Sequence, residues 1–186
     1  MGIEIEKKYR LTREEAVALE RELERSGARF IGEEFEENTI YAGGALDPQR
    51  QVLRVRRTAS GTTLAYKERA LTNGAIKHQR EEETRIESDE AIAAILCALG
   101  FHPALVYEKK RRKWRFAEAE VVIDELPFGI YAEIEGDAEG IDRIERELGL
   151  ESAEIEHDTY PQLAARHGVK RDNSIEARFV NQSESD

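Results

Sequence analysis

Residues 3–10 read IEIEKKYR, an alternation that places Ile3, Ile5 and Tyr9 on one face of an extended strand. Glu4, Glu6, Lys8 and Arg10 share the other face, so the first strand carries one apolar and one charged side. The chain then changes period. Thr12-Arg13-Glu14-Glu15 is a capping box, Ala16, Leu19 and Leu23 follow at helical spacing, and Gly27 ends the helix. Further strands are expected over 35–41, 51–57, 62–69 and 76–86, separated by the turn signals Gly43-Gly44, Ser60-Gly61 and Asn73-Gly74.

A second helix opens at Asp89 behind Ser88, with Ile92, Ile95, Leu96 and Leu99 on its apolar face. Strands over 105–116, 120–126 and 130–136 follow, then a third helix through Ile141, Ile144 and Leu148 and a short fourth over 160–166. The pattern predicts one α+β domain over residues 1–168 and a polar, disordered C-terminal tail over 169–186. Charge on one strand face suits an open sheet with that face in water, and equally a closed barrel with a charged interior; alternation does not separate them.

With 186 residues, 40 % hydrophobic and 36 % charged, the chain is long enough for one sizeable core and rich in charge. Its formal net charge of -11 argues against nucleic-acid or anionic-membrane partners, and no apolar run nears the roughly 20 residues of a membrane span. One cysteine, Cys97, leaves no disulfide framework and suits a reducing, cytoplasmic setting. Its helical, apolar surroundings predict a small buried side chain. His78, His102, His157 and His167 show no metal-ligand spacing and are read as surface residues.

The charges that repeat at period two carry the chemistry. Glu4, Glu6 and Lys8 share a face of the first strand, Arg54 and Arg56 of a second, Lys109 and Arg111 of a third, and Glu133 and Glu135 of a late one; Asp124 ends the run Val121-Val122-Ile123. Carboxylates suit a hard divalent cation, and arginine forks match phosphate oxygens. Lys110, Arg112 and Lys113 alternate with these ligands or follow them and are expected in solvent.

In order, the segments EIEKKYR (4–10), LRVRR (53–57), LAYKER (64–69), REEET (80–84), YEKKRRKW (107–114), VVIDELPFG (121–129) and YAEIEG (131–136) resemble the CYTH superfamily of triphosphate tunnel metalloenzymes. The resemblance covers about residues 2–165. It implies a closed eight-stranded antiparallel β-barrel with helices packed outside. It also implies Glu4, Glu6, Asp124, Glu133 and Glu135 as ligands of Mg²⁺ or Mn²⁺. Lys8, Arg54, Arg56, Lys67, Lys109 and Arg111 would bind the substrate, with Glu4, Glu6 and Lys8 in catalytic roles. Either Glu81 or Glu83 would join the tunnel, the run of three glutamates leaving the register open.

The implied substrate is a small-molecule triphosphate, and a homodimer is among the assemblies the resemblance allows. The implied reaction is that of a class IV adenylate cyclase, ATP to cyclic AMP and pyrophosphate; the alternative is an inorganic tripolyphosphatase or thiamine triphosphatase. The histidine-phenylalanine motif that some class IV cyclases carry before the first E-x-E has no counterpart in Met1-Gly2, which counts against the cyclase. A noncatalytic polyphosphate-binding module is the rival of another class, and five acids facing the ligand count against it.

Overall fold

The structure, a computed structural model, describes residues 2–69 and 76–180, so the Asn73-Gly74 turn and residues 181–186 of the expected tail lie outside the described residues. Eight strands form the body: β1 (Gly2–Leu11), β2 (Arg29–Gly43), β3 (Gln51–Thr58), β4 (Gly61–Arg69), β5 (Ile76–Ile86), β6 (Phe101–Phe116), β7 (Ala119–Leu126) and β8 (Gly129–Glu135). Their order is β6, β2, β3, β4, β5, β1, β8, β7, and β7 pairs back onto β6. All eight pairings are antiparallel, so the sheet closes and the barrel alternative is the one realised.

Register decides what the barrel encloses. Glu6 stands opposite Glu135 and Lys8 opposite Glu133 across the β1–β8 pair, while Glu4 faces Gln79 across β1–β5. Lys67 faces Glu81, Arg111 faces Asp124, and Glu36 faces Lys109. Because side chains alternate with period two, a slip of one residue would turn this whole set outward and bury its apolar neighbours in the tunnel.

Those neighbours form the core outside the barrel. Tyr9, Val121, Ile123, Ala132 and Ile134 pack against helices α1 (Arg13–Arg25) and α3 (Ala138–Glu147) through Leu19, Leu23, Ile141 and Ile144. The α1 capping box is formed as the sequence predicts, Thr12 accepting from the Glu15 amide and Glu15 from the Thr12 amide. Helix α2 (Asp89–Ala98) departs from expectation. Leu96 is buried, but Ile95 and Leu99 are 53 % and 64 % exposed, and Cys97 is exposed rather than buried. The helix lies against a barrel already closed by its own side chains, so one turn face suffices to dock it.

Two other expectations are corrected. Strand β2 starts six residues before the predicted 35–41 segment, past a bulge between Phe30 and Gly32 that the period-two reading breaks on. The expected disordered tail is structured over its first part: β10 (Val169–Arg171) and β11 (Ser174–Ala177) form a hairpin, and β11 adds to β6 in parallel. Ala177 is buried there, and Arg178 reaches Glu37 and Glu108 at 2.5 and 2.8 Å. A two-residue strand, β9 (Glu154–Ile155), lies along β1 and leads into α4 (Tyr160–His167).

Candidate active site

The barrel encloses a cavity of about 490 Å³. Seven carboxylates (Glu4, Glu6, Glu81, Glu83, Glu120, Glu133, Glu135) and seven cations (Lys8, Arg54, Arg56, Lys67, Lys109, Arg111, Lys113) line it. The strand order separates them into two walls. Strands β6, β3 and β4 contribute six of the cations, while β5, β1, β8 and β7 contribute all seven acids. Lys8 is the cation on the acidic wall.

The cationic wall is tied at its base by Asp124. Arg111 donates to both Asp124 oxygens, Nε to Oδ1 at 2.8 Å and Nη2 to Oδ2 at 2.6 Å, and from Nη2 to Glu133 at 2.7 Å. Lys109, 2 % exposed, lies 3.4 Å from both Asp124 and Glu36. Burial alone would raise the Glu36 carboxyl, but Lys109 and Arg111, with Arg56 and Arg54, outweigh it and hold it down at about 2. Glu36 therefore stays ionised as the countercharge of the cationic wall. It went unseen in the sequence because EEFEEN offers four glutamates over 33–37 and the register alone says which one points inward.

The acidic wall is less well compensated. Glu4 accepts from Lys67 at 2.7 Å and Gln79 at 2.6 Å, and Glu133 lies 3.2 Å from Lys8. Burial first and Glu133 next push the Glu6 carboxyl up. The Glu135 carboxyl is pushed up to about 7, by loss of solvation and then by Glu4 and Glu120, although the residue is exposed at the mouth and water tempers both effects. Glu133 behaves oppositely: burial would raise its carboxyl, but Lys8 and Arg111 outweigh that and hold it well down. The wall thus pairs ionised Glu133 with Glu6 and Glu135, which resist ionisation.

Glu4, Glu6, Glu133 and Glu135 are hard oxygen donors on two paired strands, and they fit a divalent ion in kind. In the present geometry no three histidine, cysteine or carboxylate groups among the described residues stand as a finished metal cage. Asp124 differs from the other metal candidates. It is fully buried beneath Arg111 and Tyr160 and does not line the cavity.

All the expected substrate ligands (Lys8, Arg54, Arg56, Lys67, Lys109 and Arg111) line the cavity, and Glu81 and Glu83 both do. Lys113, expected in solvent, also reaches it, since it shares the parity of Lys109 and Arg111. The outward neighbours behave as the parity predicts: Lys110 sits over the Phe179 ring, and Arg112 pairs with Glu20. Arg54 lies 3.7 Å from Glu81 and Glu83, and its Nε is buried with no hydrogen-bond partner. A buried guanidinium N–H beside a cavity, unpartnered among the described residues, is a donor suited to an oxyanion.

Residues the sequence reading did not use line one end of the cavity. The N-terminus of α4 inserts Tyr160, whose hydroxyl donates to Asp124 Oδ2 at 2.7 Å and whose ring lies 3.7 Å beneath the Lys8 ammonium. Tyr107 and Tyr131 pack against it. The Asp158 carbonyl accepts from Lys8 at 3.4 Å and Lys77 at 3.3 Å. Burial first and Lys8 next lower the Lys77 ammonium to about 8. Thr159 and Gln162 form the capping box that sets this turn, a signal legible at 159–162. At the opposite end, among the described residues, Glu120, Lys113, Glu135, Arg56 and Glu83 line a polar mouth.

The fold recurs in solved proteins. PH1012 from Pyrococcus horikoshii superposes with a TM-score of 0.74 at 25 % identity, over 86 % of this chain and 98 % of its own. A conserved hypothetical protein from Pyrococcus furiosus gives 0.73 at 22 % identity, over 86 % and 99 %. HpAC1 from Hippeastrum, described by a dominant triphosphatase activity, gives 0.69 at 17 % identity, over 91 % and 98 %. No functionally curated protein matches the chain. The family profile described as the CYTH domain matches residues 2–164, which take in the barrel strands, the two charged walls and the first five of the eight residues of α4. The chain belongs to the CYTH domain family.

Proposed function

We propose that the protein binds a triphosphate along the two-walled cavity and hydrolyses one of its phosphoanhydride bonds with the help of a divalent cation. Members of the family are triphosphate-processing, metal-dependent enzymes. The observation that carries the hydrolytic reading is the polarity gradient of the cavity. Tyr160 lies at one end of it, and charged side chains, among them the exposed Glu83 and Glu135, line the other and admit water. Intramolecular cyclisation is favoured by excluding water from the reacting phosphorus, and among the described residues the side chains lining this mouth are polar.

On this reading Arg54, Arg56, Lys109 and Arg111 hold the phosphate oxygens and offset the charge that develops as the bond breaks. Lys8, fixed between Glu133, Tyr160 and the Asp158 carbonyl, orients the phosphate lying deepest. Glu4, Glu6, Glu133 and Glu135 would hold Mg²⁺ or Mn²⁺, with Asp124 bracing Arg111 from below. A bound divalent cation supplies charge neutralisation and activates the attacking water. HpAC1, described by a dominant triphosphatase activity, supports the same reading.

Cyclisation is the second reading, supported by a neighbour from Vibrio parahaemolyticus named as an adenylate cyclase, with a TM-score of 0.65 at 20 % identity. The test supplies tripolyphosphate and ATP in parallel with Mg²⁺ or Mn²⁺ and separates the products. Orthophosphate from either compound is the expected result. Cyclic AMP and pyrophosphate would replace hydrolysis by cyclisation, and metal-dependent binding without turnover would leave a binding module.

A further inference from the structure

Beyond the mouth lies a second recess of about 250 Å³, which shares Arg56 and Glu83 with the main cavity. It is built from the β3–β4 turn and the end of β5, and none of its lining residues is aromatic. Three features give it a chemical preference. Thr63 Oγ1 is buried without a hydrogen-bond partner, directly across the strand pair from Arg56. Arg85 has no carboxylate within ion-pairing distance among the described residues, whereas Arg56 is already engaged by Glu83 at 2.8 Å. The acid on the far side, Glu34, is committed to the Ser60 hydroxyl at 2.8 Å, and Ser60 is linked to Thr58 at 2.9 Å.

In the recess Glu83 is thus paired with Arg56, and Glu34 is hydrogen-bonded to Ser60. Among the described residues the buried Thr63 hydroxyl and the exposed Arg85 guanidinium have no partner. That set of donors matches a tetrahedral oxyanion. We infer that this recess is a phosphoryl subsite in line with the tunnel, formed by Arg85, Thr63 and Arg56. Two sources could fill it: the next phosphate of a chain longer than three, or the orthophosphate departing after cleavage. The inference rests on the reading of the main cavity as a triphosphate site.

Steady-state kinetics with tripolyphosphate and tetrapolyphosphate, and inhibition by orthophosphate, test it on the parent protein and on Arg85→Ala and Thr63→Val. Thr63→Val keeps the side-chain shape, so a lost effect there is not a folding defect. If a fourth phosphate occupies the recess, tetrapolyphosphate has a KM about fivefold below that of tripolyphosphate, and both variants erase the difference. If departing orthophosphate occupies it, orthophosphate inhibits competitively, and both variants raise its inhibition constant by a similar factor. Turnover of both chains with equal KM, and no orthophosphate inhibition that the variants weaken, overturns the subsite while leaving the tunnel reading intact. Absence of any triphosphate binding overturns the tunnel reading itself.

Discussion

The most tightly bound side chain of the cavity is Arg111, and its value lies in shape as much as charge. Its fork satisfies both oxygens of a fully buried Asp124 and one of Glu133. Arg111→Lys keeps the charge but strands at least one of those oxygens, and should cost about 2–3 kcal/mol of stability, measured by urea unfolding. Arg54→Lys and Arg56→Lys have fewer internal partners, so they should leave unfolding almost unchanged and instead weaken metal-dependent tripolyphosphate binding by roughly tenfold, read by titration calorimetry. Lys110→Ala and Arg112→Ala, on the outer face of β6, are the controls and should leave binding as it was. Glu135 gives a pH dependence of defined sign. Folded, its carboxyl keeps its proton up to about 7; unfolded, it releases it near 4.5. Between those values the folded state holds more protons, so this group costs stability as pH rises through the window. Melting temperatures of Glu135→Gln and the parent, both metal-free, should nearly coincide at pH 5 and separate in favour of the variant by pH 8. An unchanged gap across that range would remove Glu135 from the group of mutually repelling acids.

At the level of elements, what the sequence makes legible is periodicity, and what it hides is docking. The alternation of β1, β3 and β8 reveals which charges share a face, because Ile5, Val55 and Ile134 sit between paired charges and set the phase. The glutamate runs 33–37 and 81–83 hide Glu36, Glu81 and Glu83 for the opposite reason: like residues on both faces carry no phase. Cys97, Ile95 and Leu99 mislead because helical apolar spacing fixes a face of α2 without saying how much of it the barrel covers. Helix α4 is legible as a helix but not as a plug, since nothing local in TYPQ announces that Tyr160 will end beneath Lys8. The plug yields a prediction. Leu163 is fully buried between α4 and the barrel, and Leu163→Ala should cost about 2–5 kcal/mol while loosening the Asp158 carbonyl from Lys8 and Lys77. Triphosphate KM should therefore rise in a variant that still folds at low temperature. A drop in stability with KM unchanged would make α4 a cover and no part of the site.

For the molecule as a whole, the decisive quantity is charge balance inside the barrel. A protein of net charge -11 offers a polyanion a repulsive exterior, and the cavity lining, once fully ionised, adds no net attraction, because its seven carboxylates cancel its seven cations. Separation into two walls resolves the difficulty only halfway. The cationic wall can grip phosphate oxygens, yet the acidic wall stands across the same cavity, where the low dielectric strengthens repulsion as well as attraction. A divalent cation between the ligand and the acidic wall would remove that repulsion and at the same time favour ionised Glu6 and Glu135, whose carboxyls burial and neighbouring acids push up. Metal and triphosphate should therefore bind with strong mutual dependence, and linkage requires the effect to be reciprocal. Measured by thermal shift, tripolyphosphate alone and Mg²⁺ or Mn²⁺ alone should each move the melting temperature slightly, and the two together by much more than their sum. Neutralising one acid of the wall, as in Glu4→Gln, weakens the metal site while reducing the repulsion felt by the bare anion. In that variant the shift with both ligands should shrink and the shift with tripolyphosphate alone should grow. Equal loss of both shifts would mean that Glu4 acts through Lys67 and Gln79, its partners at 2.7 and 2.6 Å, and that the acidic wall holds the cations in place and binds no metal.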